Sequence, residues 1–244
     1  MGFPIKCSHL IGTWASPGLV GMKPFRPPPA RVTRAVVLIC VLVQVLELLL
    51  GPVAGQRLLL SAGLVPARLT GEVIGLPGAI PAPLTLVTHI FLHGGLAHLA
   101  MNMVFLAWAG RQVEWLLGPY RLLLLFLVGG IAGGLLQVLV HADSVVPVIG
   151  ASGAISAVFA TYALLFAQSG EHPGRFLGVR LSGETIRALR YASFWIGLQL
   201  LTAVAFNTPG GAGGIAIWAH VGGFLAGLLF GLPWLRRHGR EGGL

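Results

Sequence analysis

Two side chains within apolar stretches of this sequence could together perform nucleophilic chemistry. Ser152 lies in the sequence GASGA, which begins at Gly150, and His220 begins the sequence HVGGFLAG. A serine hydroxyl within hydrogen-bond reach of an imidazole is the minimum for acyl transfer, because the imidazole takes the hydroxyl proton during attack. Each residue alone also has a simpler interpretation, a helix-packing serine and a hydrogen-bonded core histidine.

The surroundings of Ser152 favour the chemical interpretation. Pro147 favours a helix that starts shortly before the serine, which would put Ser152 in a first helical turn. Free N–H groups and the positive end of the helix dipole in such a turn stabilise a developing oxyanion. His98 and Asn102 add an imidazole and an amide near the start of another apolar stretch, although both could simply bridge helices.

The elements that must position these groups are membrane-spanning helices. Of the 244 residues, 55% are hydrophobic and only 9% are charged, whereas soluble domains carry about 25% charged residues. This composition excludes a soluble enzyme and a disordered chain. Apolar stretches predict an all-α, six-helix membrane bundle, with spans at residues 35–54, 96–110, 122–140, 145–167, 191–206 and 215–235. The second and the fifth reach the length of about 20 residues that a bilayer requires only if they begin near Phe91 and Ala188.

The basic residues predict how these spans are oriented. Of the 16 lysines and arginines, only Arg57 and Arg68 lie outside the tails and the second and fourth connections. The positive-inside rule therefore predicts that both termini are cytoplasmic. The net charge of +9 thus reflects topology, and no nucleic-acid partner is expected. The abundance of Ala, Gly and Arg favours a bacterial source, so we expect a bacterial plasma membrane.

This orientation puts the candidate groups at one depth. Even-numbered spans run from the outside inward, and Ser152 and His220 each lie about six residues, or roughly 9 Å, into their predicted spans. His98 and Asn102 lie at a similar level near the start of the second span. A hydroxyl, two imidazoles and an amide are therefore expected to meet in the outer half of the bilayer.

The sequence indicates one membrane domain, residues 35–235, with a tail at each end. Residues 1–34 are basic and rich in proline, which is typical of an unstructured tail, and residues 236–244 form a short basic tail. We expect no cleaved signal peptide, and Met22 is a second candidate start. Prolines interrupt the first connection, residues 55–90, so we expect it to lie partly in the membrane interface.

The motifs that carry these groups resemble those of rhomboid intramembrane serine proteases. They are GxSG at residues 150–153, AHxxGxxxG at 219–227, HxxxN at 98–102 and ExxxG at 114–118, with His89 and His93 matching additional upstream histidines. Each motif is weak alone, but all of them occur in the order and on the spans expected for the family. The resemblance covers residues 35–235.

The resemblance implies a rhomboid-like fold and a role for each group. Ser152 would be the nucleophile, and His220 would be the general base and later the general acid. Asn102 and His98 would form the oxyanion hole with the backbone N–H groups of Ser152 and Ala151. Supporting positions would be His89, His93, Gly150, Gly153, Gly223 and Gly227.

The resemblance also implies a reaction. The chain would cleave peptide bonds in or next to transmembrane segments of membrane proteins, with the lipid bilayer as its surroundings and with no metal or other cofactor. The number of subunits stays open. His89 and His93, spaced i, i+4, could ligate a metal, but no suitable acid stands nearby, so we expect hydrogen bonds instead.

Two places differ from the family pattern. The pair Leu84-Thr85 stands where the family often carries Trp-Arg, and Ser156 stands where a tyrosine usually stacks on the histidine. We expect Phe159 or Tyr162 to replace that tyrosine, and activity to persist with altered efficiency or selectivity. The glycine-rich loop at residues 207–214 is expected to be a mobile cover beside the fifth span.

Rival functions lack their sequence signatures. There is no HExxH motif and no phosphate-binding GxxxxGK[ST] loop. The only aspartate, Asp143, lies in a loop, so neither an aspartyl protease nor a Ser–His–Asp triad is expected. The alternative from another class is a non-catalytic rhomboid-like membrane chaperone or scaffold that binds transmembrane helices; such proteins lose the serine or the histidine, and this chain has both. A transporter would show repeated broken helices with buried charges.

Overall fold

The computed structural model of this chain describes residues 29–166, 174–176, 179–181 and 216–238, together with positions 183, 186, 190, 191, 193–195 and 197. The described positions between 190 and 197 are helical, and they fall within or beside the predicted fifth span. Residues 1–28 of the predicted tail and the predicted cover at residues 207–214 lie outside the described residues.

The described chain is built from helices. They are α1 (Arg31–Ala62), α2 (Pro66–Leu69), α3 (Thr85–Thr88), α4 (Leu96–Phe105), α5 (Arg111–Leu117), α6 (Pro119–Val140), α7 (Ser152–Phe166) and α8 (Ile217–His238). Short 3-10 turns, Ala82–Leu84 and His89–Phe91, flank α3, and a π-helical turn, Leu106–Gly110, joins α4 to α5. A small hairpin follows α7, in which β1 (Gly174–Phe176) pairs antiparallel with β2 (Val179–Leu181).

The predicted all-α membrane fold is confirmed, with this hairpin as a local departure. Three helices of the described chain are long and apolar enough to cross a membrane, namely Arg31–Ala62, Pro119–Val140 and Ile217–Trp234. A fourth span results if Ala82–Phe91 and Leu96–Leu117, which meet at 80°, count as one bent unit. The chain is therefore an integral membrane protein, and the number six stays a prediction.

The first helix is longer than its predicted span of 35–54. α1 continues to Ala62 across a kink at Gly51, whose φ is +75°, with Pro52 directly after it. Glycine adopts this backbone angle without steric cost. Proline fits the first position of the helix that resumes, because the N–H it lacks has no intrahelical partner there. The two residues therefore bend the helix without ending it.

The predicted fourth span starts too early. Instead of a helix from residue 145, the chain is irregular, with one isolated β-bridge at Val148, until α7 begins at Ser152. Val148 and Leu64 exchange two backbone hydrogen bonds of 2.7 and 3.0 Å, and the Gly150 N–H donates to the His89 carbonyl at 2.9 Å. These long-range bonds hold Val148 and Gly150 outside a helix, and α7 begins only at the serine.

The connection between α1 and α3 is organised by one arginine. The Arg68 guanidinium donates to the carbonyls of Leu60, Ser61 and Ile80 at 2.9, 3.1 and 2.7 Å. It thereby covers the C-terminal end of α1 and holds the proline-rich segment against it. The Thr88 hydroxyl also donates to the Ala62 carbonyl, so the chain leading into the histidine-rich segment is fixed to the same helix end.

Helices α6, α7 and α8 form the centre of the bundle and touch backbone to backbone. A Cβ atom on Gly133 of α6 would overlap the carbonyl oxygen of Ala219 in α8. One on Gly227 of α8 would overlap the carbonyl oxygen of Ala157 in α7. Small residues permit such close approach of membrane helices. The three helices are thus packed at a spacing that larger residues would prevent.

Candidate active site

The predicted serine and histidine meet in the structure. Ser152 is the first residue of α7, and His220 lies in the first turn of α8. The His220 Nε2 and Ser152 Oγ atoms are 2.6 Å apart, which is a short hydrogen bond between the two side chains. Both residues lie nearer to their helix starts than the six residues expected from the sequence, because α7 and α8 begin later than the predicted spans.

The packing of α7 against α8 produces this contact. A Cβ atom on Gly223 would overlap the carbonyl oxygen of Gly153, and one on Gly153 would come within 3.1 Å of the Ala219 carbonyl oxygen. Further along both helices, the Thr161 hydroxyl of α7 donates to the Gly227 carbonyl of α8 at 2.9 Å. The glycines of the GxSG and AHxxGxxxG elements therefore bring the two helix starts together.

His220 is buried, with 4% of its surface exposed. Its second ring nitrogen, Nδ1, is buried and has no hydrogen-bond partner within the described part of the chain. No described acidic side chain bonds it, so the described part of the site is a pair and lacks the third member of a triad.

His98 lies beside the pair and packs against Gly150. The Gly150 φ is +119°, and a Cβ atom built there would come within 2.8 and 2.9 Å of His98 Cε1 and Nε2 and within 3.7 Å of Ser152 Oγ. The imidazole and the hydroxyl thus approach the same point from two helices. Only glycine satisfies both the backbone angle and the closeness of the ring.

The proton position on His98 follows from its hydrogen bond. The Gly94 N–H points at His98 Nδ1 over 3.3 Å, and a backbone N–H can only donate. In the neutral ring, Nδ1 is then the acceptor and Nε2 carries the hydrogen. Because Nε2 lies on the side of Gly150 and Ser152, this imidazole presents an N–H donor toward the serine.

Asn102 lies one turn after His98 on α4 and is also buried. Its Nδ2 atom donates to the His98 carbonyl at 2.9 Å, which fixes the orientation of the amide. An amide nitrogen has two hydrogens, so one remains for another acceptor. The predicted imidazole and amide therefore occupy one face of one helix, as their i, i+4 spacing indicates.

His89 and His93 support this region from behind. His89 Nδ1 donates to the Thr85 carbonyl at 2.8 Å, and the His89 carbonyl accepts the Gly150 N–H. His93 is fully buried, and its ring meets that of His98 edge-on at 5.2 Å between centroids. In the described part of the chain, no group of three or more His, Cys, Asp or Glu side chains is arranged to hold a metal ion.

The two aromatic residues expected to orient the histidine make different contacts. Phe159 and Tyr162 stack on each other, and their other ring contacts with described residues are with Trp108, Tyr191 and Phe194. They lie two and three turns beyond Ser152 along α7, too far along the helix to reach the ring. That expectation was wrong, because the space at residue 156 is used by another side chain.

Sequence reasoning missed that side chain, Trp195. Its Nε1–H donates to Ser156 Oγ at 3.4 Å, and the Ser156 hydroxyl donates to the Ser152 carbonyl at 2.8 Å. The contact between residues 156 and 195 joins segments that are far apart in sequence, and no local pattern in the sequence marks it.

The fold and the site define a membrane protein of packed helices with a buried serine–histidine pair at two helix starts. The family model described as Rhomboid domain matches residues 82–237, which is well over half of the chain and includes every residue of the candidate site. This chain belongs to the rhomboid family.

Individual relatives come from several kingdoms. RHOMBOID-like protein 1 of Arabidopsis thaliana is 33% identical over 153 residues, 62% of this chain and 34% of that protein. Rhomboid protease GluP of Bacillus subtilis is 33% identical over 148 residues, 61% of this chain and 26% of that protein. Rhomboid-related protein 3 of Homo sapiens is 28% identical over 156 residues, 62% of this chain and 36% of that protein. The chain thus matches a quarter to a third of each relative's length.

Proposed function

We propose that this chain is an intramembrane serine endopeptidase that cleaves peptide bonds in or next to transmembrane segments of membrane proteins. The observation that carries the proposal is the 2.6 Å contact between His220 Nε2 and Ser152 Oγ. A serine used only for helix packing needs no buried imidazole at hydrogen-bond distance. Family membership and the similarity to one relative, rhomboid protease GluP of Bacillus subtilis, support the same assignment.

In the acylation step, Ser152 Oγ attacks the carbonyl carbon of the substrate while its proton passes to His220 Nε2. The tetrahedral intermediate bears a negative oxygen. His98 Nε2–H, the Asn102 amide and the backbone N–H groups of Ser152 and Ala151 would stabilise this oxygen. The imidazolium then gives its proton to the leaving amine as the C–N bond breaks, which leaves an acyl-enzyme.

In the deacylation step, water replaces the departed amine. His220 takes a proton from the water as its oxygen attacks the acyl carbon, and the proton returns to Ser152 Oγ when the ester bond breaks. Supporting this cycle, Ser152 starts α7, and the first N–H groups of a helix have no partner inside that helix. No metal or organic cofactor takes part in these steps.

The proposed substrates are transmembrane segments with helix-breaking small residues near the cleaved bond. A regular helix keeps its carbonyl groups in intrahelical hydrogen bonds, so the nucleophile cannot approach them. A locally unwound segment exposes one carbonyl carbon to Ser152. The lipid bilayer is the medium of the reaction, and the number of subunits is left open.

We further propose that the site faces the outer half of the membrane, with both chain termini in the cytoplasm. The distribution of arginines supports this orientation, and a bacterial plasma membrane is the proposed location. Single cysteines in place of Ile74 and Gln112, in a variant without Cys7 and Cys40, test it in intact cells. A membrane-impermeant maleimide should label the first variant and spare the second; the reverse pattern would overturn the orientation.

The catalytic proposal is tested with the purified protein in detergent and a fluorophosphonate probe, which bonds covalently to an activated serine. We expect labelling of the wild-type protein and none of Ser152→Ala or His220→Ala. Matched controls are Ser193→Ala and His141→Ala, which change a serine and a histidine on exposed positions, and these should be labelled as the wild type is. Cleavage of a reporter with a transmembrane segment should follow the same pattern.

A folded wild-type protein that stays unlabelled and leaves the reporter intact would refute the proposal. If it also retained the reporter in a stable complex, the non-catalytic alternative, a chaperone or scaffold for transmembrane helices, would replace it.

A further inference from the structure

Trp195, one of the helical positions described between residues 190 and 197, contacts both helices of the serine–histidine pair at equivalent places. Ser156 lies four residues after Ser152 on α7, and Phe224 lies four residues after His220 on α8. The Trp195 Nε1–H donates to Ser156 Oγ at 3.4 Å, and the Trp195 ring lies 4.7 Å from that of Phe224 between centroids. One side chain therefore contacts the first full turn beyond each reacting residue.

The direction of this side chain is set by its own helix. Tyr191, Phe194 and Trp195 are spaced so that they share one helical face. Tyr191 and Phe194 pack on Phe159, with ring centroids 6.2 and 5.8 Å apart. These contacts turn the face toward α7, so the Trp195 indole is held over Ser156 by its neighbours.

The hydrogen bonds through Ser156 end at the serine proposed to react. The Ser156 hydroxyl accepts from Trp195 and donates to the Ser152 carbonyl at 2.8 Å. Because a hydroxyl that accepts one bond becomes a better donor, the two bonds strengthen each other. The Ser152 carbonyl is thereby held by a side chain as well as by its own helix.

Such support matters at this position because Ser152 is the first helical residue of α7. The ends of helices fray, and the chain before Ser152 is not helical. A small displacement of this turn would move Ser152 Oγ relative to His220 Nε2. The spacing of two reacting groups controls the rate steeply, since catalysis requires near-contact geometry.

We propose that Trp195 is a positioning residue for the Ser152–His220 pair, acting through the Ser156 hydroxyl on α7 and through the Phe224 ring on α8. This inference rests on the proposed function, because it assigns Trp195 an effect on the reactivity of Ser152. It also explains the serine at position 156: a large side chain there would occupy the place of the indole.

The test measures the second-order rate constant of fluorophosphonate labelling, which reports on Ser152 without any protein substrate. Trp195→Phe keeps a ring against Phe224 but removes the N–H, and Ser156→Ala removes the group that accepts it. Because the bond from Trp195 to Ser156 is long, at 3.4 Å, its loss should slow labelling about twofold to threefold in each variant. The double variant should be no slower than the slower single variant, because both changes break the same connection.

The matched control is Trp108→Phe. Trp108 is another tryptophan of the same aromatic cluster, but its ring contacts are with Phe159 and Tyr162, 6.4 and 4.9 Å away between centroids. Its substitution should leave the labelling rate unchanged. With a transmembrane reporter, Trp195→Phe and Ser156→Ala should lower kcat and leave KM close to the wild-type value, since positioning of the nucleophile does not affect substrate docking.

The outcomes separate this inference from the proposed function. If the wild type reacts but Trp195→Phe and Ser156→Ala react equally fast, Trp195 is not a positioning residue and the proposed function stands. A lower unfolding temperature with an unchanged labelling rate would have the same meaning, since it reveals a structural role alone. Strictly additive slowing in the double variant would also overturn the connection. A folded wild type that does not react would overturn both proposals.

Discussion

Gly223 of α8 lies so close to the carbonyl oxygen of Gly153 in α7 that no Cβ atom fits between them. Gly153 directly follows Ser152, and Gly223 lies three residues after His220, at the start of the facing helix. The contact therefore sets the distance between the two helices where Ser152 Oγ and His220 Nε2 are 2.6 Å apart. Backbone atoms in contact cannot rearrange as a side chain can, so this distance is fixed by the absence of a methyl group.

The first prediction concerns this contact. In Gly223→Ala, the added methyl group forces α8 away from α7 and lengthens the bond between His220 and Ser152. We expect fluorophosphonate labelling to fall at least about tenfold and the unfolding free energy to fall by about 1–3 kcal/mol, as overpacked interiors show. Gly197→Ala is the control, because a Cβ atom at Gly197 meets nothing within 4 Å. Equal labelling of both variants would contradict the prediction.

A second prediction follows from the packing of His98 on Gly150. In Gly150→Ala, a non-glycine residue would have to adopt a φ of +119°, and its Cβ atom would displace the His98 ring. Strain of about 1–2 kcal/mol is expected from the backbone angle alone. We also expect kcat for a transmembrane reporter to fall by more than tenfold, because His98 loses its place beside Ser152.

Gly71→Ala separates these two effects. Gly71 has a φ of +86° but nothing within 4 Å of its Cβ position, so the variant carries a comparable strain without disturbing a ring. It should lose stability and keep the wild-type kcat. If Gly71→Ala and Gly150→Ala lowered kcat equally, strain and not the position of His98 would be the cause.

Much of the bundle and of the candidate pair could be predicted from local sequence. α6 and α8 begin and end within a few residues of their predicted spans, because long apolar runs have few other stable structures in a membrane. Ser152 and His220 were paired correctly because the glycines beside them permit close backbone approach. Each helix is indicated by its own residues, whereas the pair joins residues 68 apart in sequence and was expected from their shared depth and from the motifs that carry them.

The features that were mispredicted depend on contacts between distant residues. Residues 145–151 are as apolar as a membrane helix, but they are not helical, and Val148 pairs with Leu64 while the Gly150 N–H bonds the His89 carbonyl. The bond from Trp195 to Ser156 crosses 39 residues, and the bond from Val32 to Glu114 crosses 82. Nothing in the local composition indicates which distant partner a polar group will meet.

The third prediction tests the amide of Asn102. If it stabilises the oxyanion, Asn102→Ala should lower kcat by about 10²-fold to 10³-fold, the usual effect of removing one such donor, with little change in KM. Gln112→Ala is the control, because Gln112 is a half-buried amide that bonds the Trp108 carbonyl one turn earlier, as Asn102 bonds that of His98. An unchanged kcat in Asn102→Ala would mean that the amide only fixes its own helix.

The last prediction concerns Glu114, a residue of α5 whose carboxylate caps the N-terminus of α1. Its two oxygens accept the Val32 N–H and the Thr33 N–H, both at 2.9 Å, and the Thr33 hydroxyl at 2.7 Å. Val32 and Thr33 are the second and third residues of α1, whose N–H groups have no intrahelical partner. The carboxylate is thus an N-cap supplied by α5, and it joins the two helices.

In Glu114→Ala, these three donors lose their acceptor inside the protein. We expect the unfolding free energy in detergent micelles to fall by about 3 kcal/mol, since hydrogen bonds to charged groups contribute about 1.5–3 kcal/mol each and water partly replaces the acceptor of the half-buried Val32 N–H. Glu72→Ala removes an exposed carboxylate and should change the unfolding free energy by less than about 0.5 kcal/mol. Because Glu114 does not touch the serine–histidine pair, fluorophosphonate labelling well below the unfolding temperature should proceed at the wild-type rate. Similar unfolding free energies for the two variants would show that α1 does not depend on this cap.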